Sequence, residues 1–343
     1  MSNERTELSE LGEFGLIDHL TKNIELQNVS SLLGVGDDAA VIDHFGKQTV
    51  VTTDLLLEGV HFDLMYTPLK HLGYKSIVVN LSDVYAMNAV PTQVTLSIGI
   101  SNRFGLEALD EFYEGVYAAC SHYGVDLIGG DTTTSQKGFV ISVTAIGEVT
   151  PDHFVKRSTA KKGDLLCVSG DLGAAYVGLL FLERERKIFL ESPGVQPDLE
   201  GESYVIGRLL KPEARKDIVE FFAEASVMPT AMMDISDGLS SEILHICKDS
   251  QLGCVLYEDK IPVAEETRNA AFKFEIDPTA CALSGGEDYE LLFTVDQADY
   301  EKINANPAIS IIGYMAEAGD GAHIITKGGG RHAITAQGWN PIR

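Results

Sequence analysis

Aspartate recurs in one setting along this chain: an apolar run, then glycine or small polar residues, then the acid. The setting appears as Leu33-Gly34-Val35-Gly36-Asp37-Asp38, Val51-Thr52-Thr53-Asp54, Val79-Asn80-Leu81-Ser82-Asp83 and Leu127-Ile128-Gly129-Gly130-Asp131. It returns as Met233-Asp234-Ile235-Ser236-Asp237-Gly238 and Leu283-Ser284-Gly285-Gly286-Glu287-Asp288. A fold that honours the pattern ends its elements in carboxylates, and carboxylates gathered together repel unless cations lie between them. Mg2+ takes oxygen ligands, usually one or two carboxylates plus substrate phosphates. The neighbouring Thr and Ser add neutral oxygens, and the glycines let backbone N–H groups approach a phosphate. Positioning and charge neutralisation of this kind are what phosphoryl transfer asks of a protein.

Each motif alone has a simpler reading. Gly129-Gly130-Asp131 reads as a turn. Asp237-Gly238 ahead of Leu239, Ile243, Leu244 and Cys247 reads as a helix N-terminus where the dipole favours an acid. His61 in Glu58-Gly59-Val60-His61-Phe62 reads as a packed or surface histidine, and Arg157 as a solvated cation. It is the six acidic motifs taken together that point to a metal-dependent site.

Charge narrows the partners. Acidic residues outnumber basic ones 51 to 26, a formal net charge of −25 over 343 residues. Such a surface repels nucleic acid and anionic membranes, and it would repel phosphate ligands too unless metal ions intervene. No stretch of eighteen uncharged apolar residues occurs. The polar start Met1-Ser2-Asn3-Glu4-Arg5 leads into no apolar segment of a secretory leader. Cys120, Cys167, Cys247, Cys254 and Cys281 form no C-x-x-C pair, which argues against a zinc site or disulfide framework. Cytoplasm is the expected compartment.

The patterns alternate. Gln48 to Thr53 is rich in β-branched residues and predicts a strand, as do Val94 to Ile100, Phe139 to Ile146 and Leu165 to Ser169. Helical spacing predicts helices over 70–88 and 105–123. Pro151, Lys156-Arg157 and Lys161-Lys162-Gly163 interrupt the patterns, so two domains are expected, 1–148 and 149–343, of α+β class. Residues 183–204 read as an exposed connection or short helices without chemistry. Gly34-x-Gly36-x-x-Ala39 fits a dinucleotide fingerprint, but Asp37 and Asp38 would occupy the pyrophosphate's place, and the flanking strand and helix are missing. No Walker A motif and no H-R-D kinase loop exists.

The ordered set resembles the thiamine-monophosphate kinase family. It comprises Gly12-Glu13-Phe14, Gly34 to Ala40, Thr52-Thr53-Asp54, Gly59-Val60-His61-Phe62, Val79 to Asp83, Ile128 to Thr133, Arg157-Ser158, Asp234 to Leu239 and Ser284 to Leu291. The resemblance implies an N-terminal α/β domain that binds ATP and Mg2+ and pairs in a homodimer through a shared β-barrel-like interface. It implies a C-terminal α/β domain that completes the active site, and transfer of the ATP γ-phosphoryl group to thiamine phosphate. By motif position it implies Asp38, Thr52, Thr53, Asp54, Asp83, Asp131, Asp234 and Asp237 around Mg2+. Gly130, Asp131, Arg157 and Ser236 would contact ATP, and His61, Glu287 and Trp339 the thiamine phosphate. Asp54, Asp131 and Arg157 would be the catalytic set.

Chemistry agrees with these roles. Arg157 is a fork for phosphate oxygens, and Trp339 offers a flat face to a cationic thiazolium. The acceptor is already a phosphate oxygen, so no base is required. Thr159, Asn88 and the tail Gly338-Trp339-Asn340-Pro341 depart from the family pattern on the acceptor side. The rival readings are an ATP-dependent ribotide or selenophosphate synthetase of the same superfamily, and a non-catalytic acidic metal-binding protein.

Overall fold

The computed structural model describes residues 31–33, 36–44, 46–101 and 103–336. Gly12-Glu13-Phe14, Gly34, Val35 and Trp339 lie outside them. The first unit is a six-stranded mixed sheet of β1 (Ser31–Leu33), β2 (Ala40–His44), β3 (Lys47–Leu57), β4 (Val90–Ile100), β5 (Asp126–Thr134) and β6 (Val140–Val149). Its order is β1-β2-β3-β6-β4-β5, and only the β4–β5 pair is parallel.

Helix α1 (Leu69–Ala86) and helix α2 (Leu106–Tyr123) pack on one another. Every residue of α1 from Leu72 to Ala86 is buried except Asp83. Close approach of the two backbones requires glycine on both sides. A Cβ on Gly73 would lie 1.9 Å from the Phe112 carbonyl oxygen, and one on Gly115 would lie 1.9 Å from that of Lys70. The crossing fixes α1 beneath the sheet with the Asp83 end turned toward the second unit.

That unit carries a seven-stranded sheet of β7 (Leu165–Ser169), β8 (Ala231–Asp234), β9 (Gly253–Tyr257), β10 (Leu291–Val295), β11 (Ile309–Ala316), β12 (Ala322–Ile325) and β13 (Arg331–Ala333). Its order is β13-β12-β9-β11-β7-β10-β8, antiparallel except for β9–β12. Helices α3 (Ala174–Glu191), α4 (Ser203–Leu210), α5 (Lys216–Ala225), α6 (Leu239–Ser250), α7 (Glu265–Phe272), α8 (Pro278–Ser284) and α9 (Tyr300–Asn304) accompany it. One apolar cluster runs from Leu81 and Val84 of α1 to Met232, Leu291 and Phe293 of the second sheet. Burying this joint surface ties the two units together through the hydrophobic effect.

Both sheets are mixed, and among the described residues neither closes into a barrel. Gly129-Gly130-Asp131 lies inside β5 rather than in a turn, since a Cβ on Gly130 would fall 1.7 Å from the Leu96 oxygen of β4. Residues 183–204 divide between the end of α3, a connection and the start of α4. No helix among the described residues is long and apolar enough to cross a membrane.

Candidate active site

Four segments bring carboxylates to one point. Asp38 lies just before β2, Asp54 on β3, Asp83 near the end of α1, and Asp234 ends β8. Asp38, Asp83 and Asp234 each offer an oxygen within 4.8 Å of the others. Neutral hydroxyls tie them in place: Thr52 Oγ1 donates to Asp83 Oδ2 at 2.7 Å, and Ser82 Oγ donates to Asp234 Oδ2 at 2.6 Å. The Asp54 backbone N–H donates to Asn80 Oδ1 at 3.0 Å, which holds β3 against α1.

Burial is the main force on these acids. It pushes Asp83 well above the usual carboxylate range, and the charges of Asp54, Asp234 and Asp38 push it further while the Thr52 hydroxyl opposes. Burial also raises Asp38 well above its ordinary value, against the pull of Arg157. Asp234 is raised by burial despite the Ser82 bond and Arg157. Asp54 is raised from 3.8 to about 6 by burial, then by Asp234 and Glu287. A site that resists its own ionisation is one that a hard cation would complete. Asp38 Oδ2 is buried with no hydrogen-bond partner, and the donor set is all oxygen. These residues fit Mg2+.

At the outer edge of the acids sits Arg157. Its Nη2 donates to Asp38 Oδ1 at 2.6 Å, and its Nε lies 3.4 Å from Asp37 Oδ1. On the other side a cleft of about 800 Å3 opens, lined by His61, Lys75, Tyr66, Tyr176, Glu183, Arg186, Ser236, Asp237 and Glu287. His61 Nδ1 accepts the Leu57 N–H at 3.0 Å, so Nε2 is left to carry the proton. Its pKa is lowered chiefly by burial, which keeps the ring neutral.

Glu287 depends on a buried scaffold. Asp288 accepts the Gly173 N–H at 2.9 Å at the start of α3, and Glu290 accepts from Ser169 Oγ at 2.5 Å, Arg208 Nη2 at 2.9 Å and Arg215 Nη1. Alternating with these anchors along the chain, Glu287 (φ 64°) and Tyr289 (φ 52°) adopt the left-handed conformation. For residues with side chains this costs about 1–3 kcal/mol each and persists only when the surroundings enforce it. Glu287 pairs with Lys75 of α1. On the Asp234–Gly238 loop, the Asp237 N–H donates to Glu242 Oε1 at 2.9 Å, and Glu242 is itself buried at the start of α6.

Three of the residues singled out above stand apart. Thr53 turns to the opposite face of β3, where its hydroxyl donates to the Val143 carbonyl at 2.9 Å. Gly130 and Asp131 are exposed on edge strand β5. The register Asp54–Val143–Leu96–Gly130 places β5 three strands from Asp54, about 14 Å at the usual strand spacing. Asp38, Thr52, Asp54, Asp83 and Asp234 share one point, while Asp237, Ser236, His61 and Glu287 border the cleft. Lys75, Asn80, Ser82 and Glu242 were given no role from sequence, although Asn80 and Ser82 stand inside a quoted motif. Glu183 and Arg186 line the cleft from α3, in a segment read as an exposed connection or short helices without chemistry.

Residues 36–149 match the model of AIR synthase related protein, N-terminal domain, and residues 161–326 that of its C-terminal domain. The chain is 35% identical over 334 residues to thiamine-monophosphate kinase of Aquifex aeolicus, covering 97% of this chain and 98% of that protein. The chain belongs to the thiamine-monophosphate kinase family. The family member of Bacillus subtilis is 32% identical over 90% of this chain and 92% of its own. A solved structure described as AaThiL complexed with AMPPCP and TMP superposes with a TM-score of 0.81 at 33% identity, covering 98% of this chain and 99% of that one. Hydrogenase maturation protein HypE in complex with ATP shares the fold at 20% identity and a TM-score of 0.69.

Proposed function

We propose that this chain transfers the γ-phosphoryl group of ATP to the phosphate of thiamine monophosphate, giving thiamine diphosphate and ADP. The observation that carries the reading is the half-buried to buried carboxylate cluster, whose neighbour Asp54 feels the charge of Glu287 in the cleft wall, in a chain that matches the family over nearly its whole length. A relative crystallised with AMPPCP, a non-hydrolysable ATP analogue, and TMP supports the same pair of substrates.

In this reading Asp38, Asp54, Asp83, Asp234 and Asp237 hold Mg2+, with the Thr52 hydroxyl and the Thr53 backbone beside them. Bound Mg2+ supplies neutralisation of the charge on two polyanions brought face to face. Arg157, paired with Asp38 in the structure, would offer its fork to the ATP phosphates. Ser236 lies beside the ATP phosphates. Neutral His61 donates from Nε2 to the acceptor, Glu287 fixes its orientation, and Trp339 packs on the thiazolium. An oxygen of the acceptor phosphate attacks the γ-phosphorus in line, the bond to the β-phosphate oxygen breaks, and ADP leaves.

Gly130 and Asp131 reach ATP from a second copy. The outer face of the first sheet bears Thr53, Leu55, Thr95, Ser97, Ser142 and Thr144, with Leu55 52% exposed and Ile128 of β5 58% exposed. Two such faces packed together would form the barrel-like homodimer interface and bring β5 of one subunit toward β3 of the other. Units 1–148 and 149–343 then divide the work, the first carrying metal and dimer contacts and the second completing the cleft. Buried, unbridged cysteines suit the reducing cytoplasm, where we place the protein.

The test is ADP release with ATP and Mg2+, with thiamine phosphate, thiamine or no acceptor. Release that depends on thiamine phosphate is the expected result; equal release with every acceptor or none overturns the substrate assignment.

A further inference from the structure

The acidic site has a cation at each end. Arg157 stands at the Asp38 end, and Lys75 of α1 stands where the carboxylates give way to the cleft. Glu287, the partner of Lys75, lies close enough to act electrostatically on both Asp54 and His61. The Lys75 amine is therefore at the junction of the metal end and the acceptor end.

Its environment is unusual for lysine. The side chain is 5% exposed, its Nζ donates to the Leu209 carbonyl at 3.1 Å, and its other partner is the Glu287 carboxylate. A buried ammonium is costly unless paired. The pair joins α1 to the turn at Glu287, which is itself held in a left-handed backbone conformation at the cleft wall. Among the described residues the other cationic side chain lining the cleft, Arg186, is paired instead with Asp63 at 2.8 Å and Glu183 at 3.5 Å. A phosphate monoester entering this cleft meets Asp237 and Glu287, both of which repel it. It needs one cation at the junction, and Lys75 is placed there.

We infer that Lys75 recognises the phosphate of the acceptor. Glu287 holds the amine toward the cleft while the site waits; on binding, Lys75 bridges Glu287 and the acceptor's phosphate oxygens. The inference rests on the function proposed above and assigns the group that distinguishes a phosphorylated acceptor from its free alcohol.

The experiment compares thiamine phosphate with thiamine by calorimetry, with Mg2+ and a non-hydrolysable ATP analogue present. The full-length chain, Lys75→Met, Lys75→Arg and the double variant Lys75→Met/Glu287→Gln are titrated. The unaltered chain should prefer thiamine phosphate by about 10–100-fold, the worth of a charge-assisted hydrogen bond. Lys75→Met should lose most of that preference while binding thiamine and the ATP analogue as before, and Lys75→Arg should keep part of it. If Lys75 only neutralises Glu287, the double variant regains the preference, and that result overturns the inference. So does a Lys75→Met variant that discriminates like the unaltered chain. Should Lys75→Met fail to bind the ATP analogue, the Lys75→Arg and double variants decide by the same criterion. An unaltered chain that binds the ATP analogue but neither thiamine compound refutes the substrate assignment itself and takes this inference with it.

Discussion

Replacing Asp54 with Asn should make the metal-free protein more stable while weakening its response to Mg2+. The Asp54 carboxyl is raised from 3.8 to about 6, chiefly by burial. The native state therefore keeps a proton that the unfolded chain gives up between those values. Stability falls as pH rises through that window, and the full cost is present above it. At about 1.4 kcal/mol per pH unit, the shift amounts to about 3 kcal/mol at pH 7.5. Asn keeps the shape without the charge but buries an amide, so the net gain should be about 1–3 kcal/mol. For a chain of this length that is about 2–4 °C in the unfolding midpoint. The assay is thermal unfolding in EDTA at pH 5 and 7.5, then with Mg2+. The unaltered protein should lose stability from pH 5 to 7.5 and recover it with Mg2+; Asp54→Asn should show a smaller loss and a smaller recovery. A metal-free Asp54→Asn midpoint at pH 7.5 no higher than that of the unaltered protein would refute the reasoning.

Three further outcomes follow from the same structure. Because burial raises Asp38, Asp54, Asp83 and Asp234 together, Mg2+ binding at pH 5.5 should release protons, and apparent affinity should rise from pH 5 to 7. Calorimetry in buffers of different ionisation enthalpy reads this, and binding without proton release would contradict it. Gly115→Ala should destabilise by about 1–3 kcal/mol, because the new methyl meets the Lys70 oxygen and forces α1 and α2 apart; an unchanged urea midpoint would count against the crossing. Glu242→Leu leaves the Asp237 N–H without its acceptor and should cost about 1–3 kcal/mol along with weaker Mg2+ binding, whereas Glu242→Gln should cost less. Equal losses in both variants would deny the hydrogen bond its role.

Much of the site was legible because element ends are written locally. Asp38, Thr52, Asp54, Asp83 and Asp234 each follow an apolar run, and the structure brings those runs to one point. The strand at Leu165 to Ser169 and the helix at Leu106 to Tyr123 are written in hydrophobic periodicity. What sequence could not supply was facing and distance. Thr53 and Asp54 are neighbours in the motif, yet the pleat sends their side chains to opposite faces of β3. Gly130 alone reads as a turn, and the resemblance implies a contact with ATP, whereas strand register sets it apart from the acids and packing on Leu96 explains why it is glycine. Lys75 was invisible because a lysine in a helix is ordinarily solvated, and only the burial of α1 from both sides gives it another meaning. Asp288 closes the Gly285-Gly286-Glu287 acidic motif and Glu290 follows it; the structure uses both to clamp the backbone that presents Glu287.

The central claim is direct transfer of one phosphoryl group between the two substrates. A single turnover with ATP labelled at the γ-phosphorus, Mg2+ and thiamine phosphate tests it most directly. The account predicts that the label appears in the terminal phosphate of thiamine diphosphate, one for each ADP formed, with no label on the protein and none as free phosphate. Label released as inorganic phosphate, or found on the protein before the product, would contradict it.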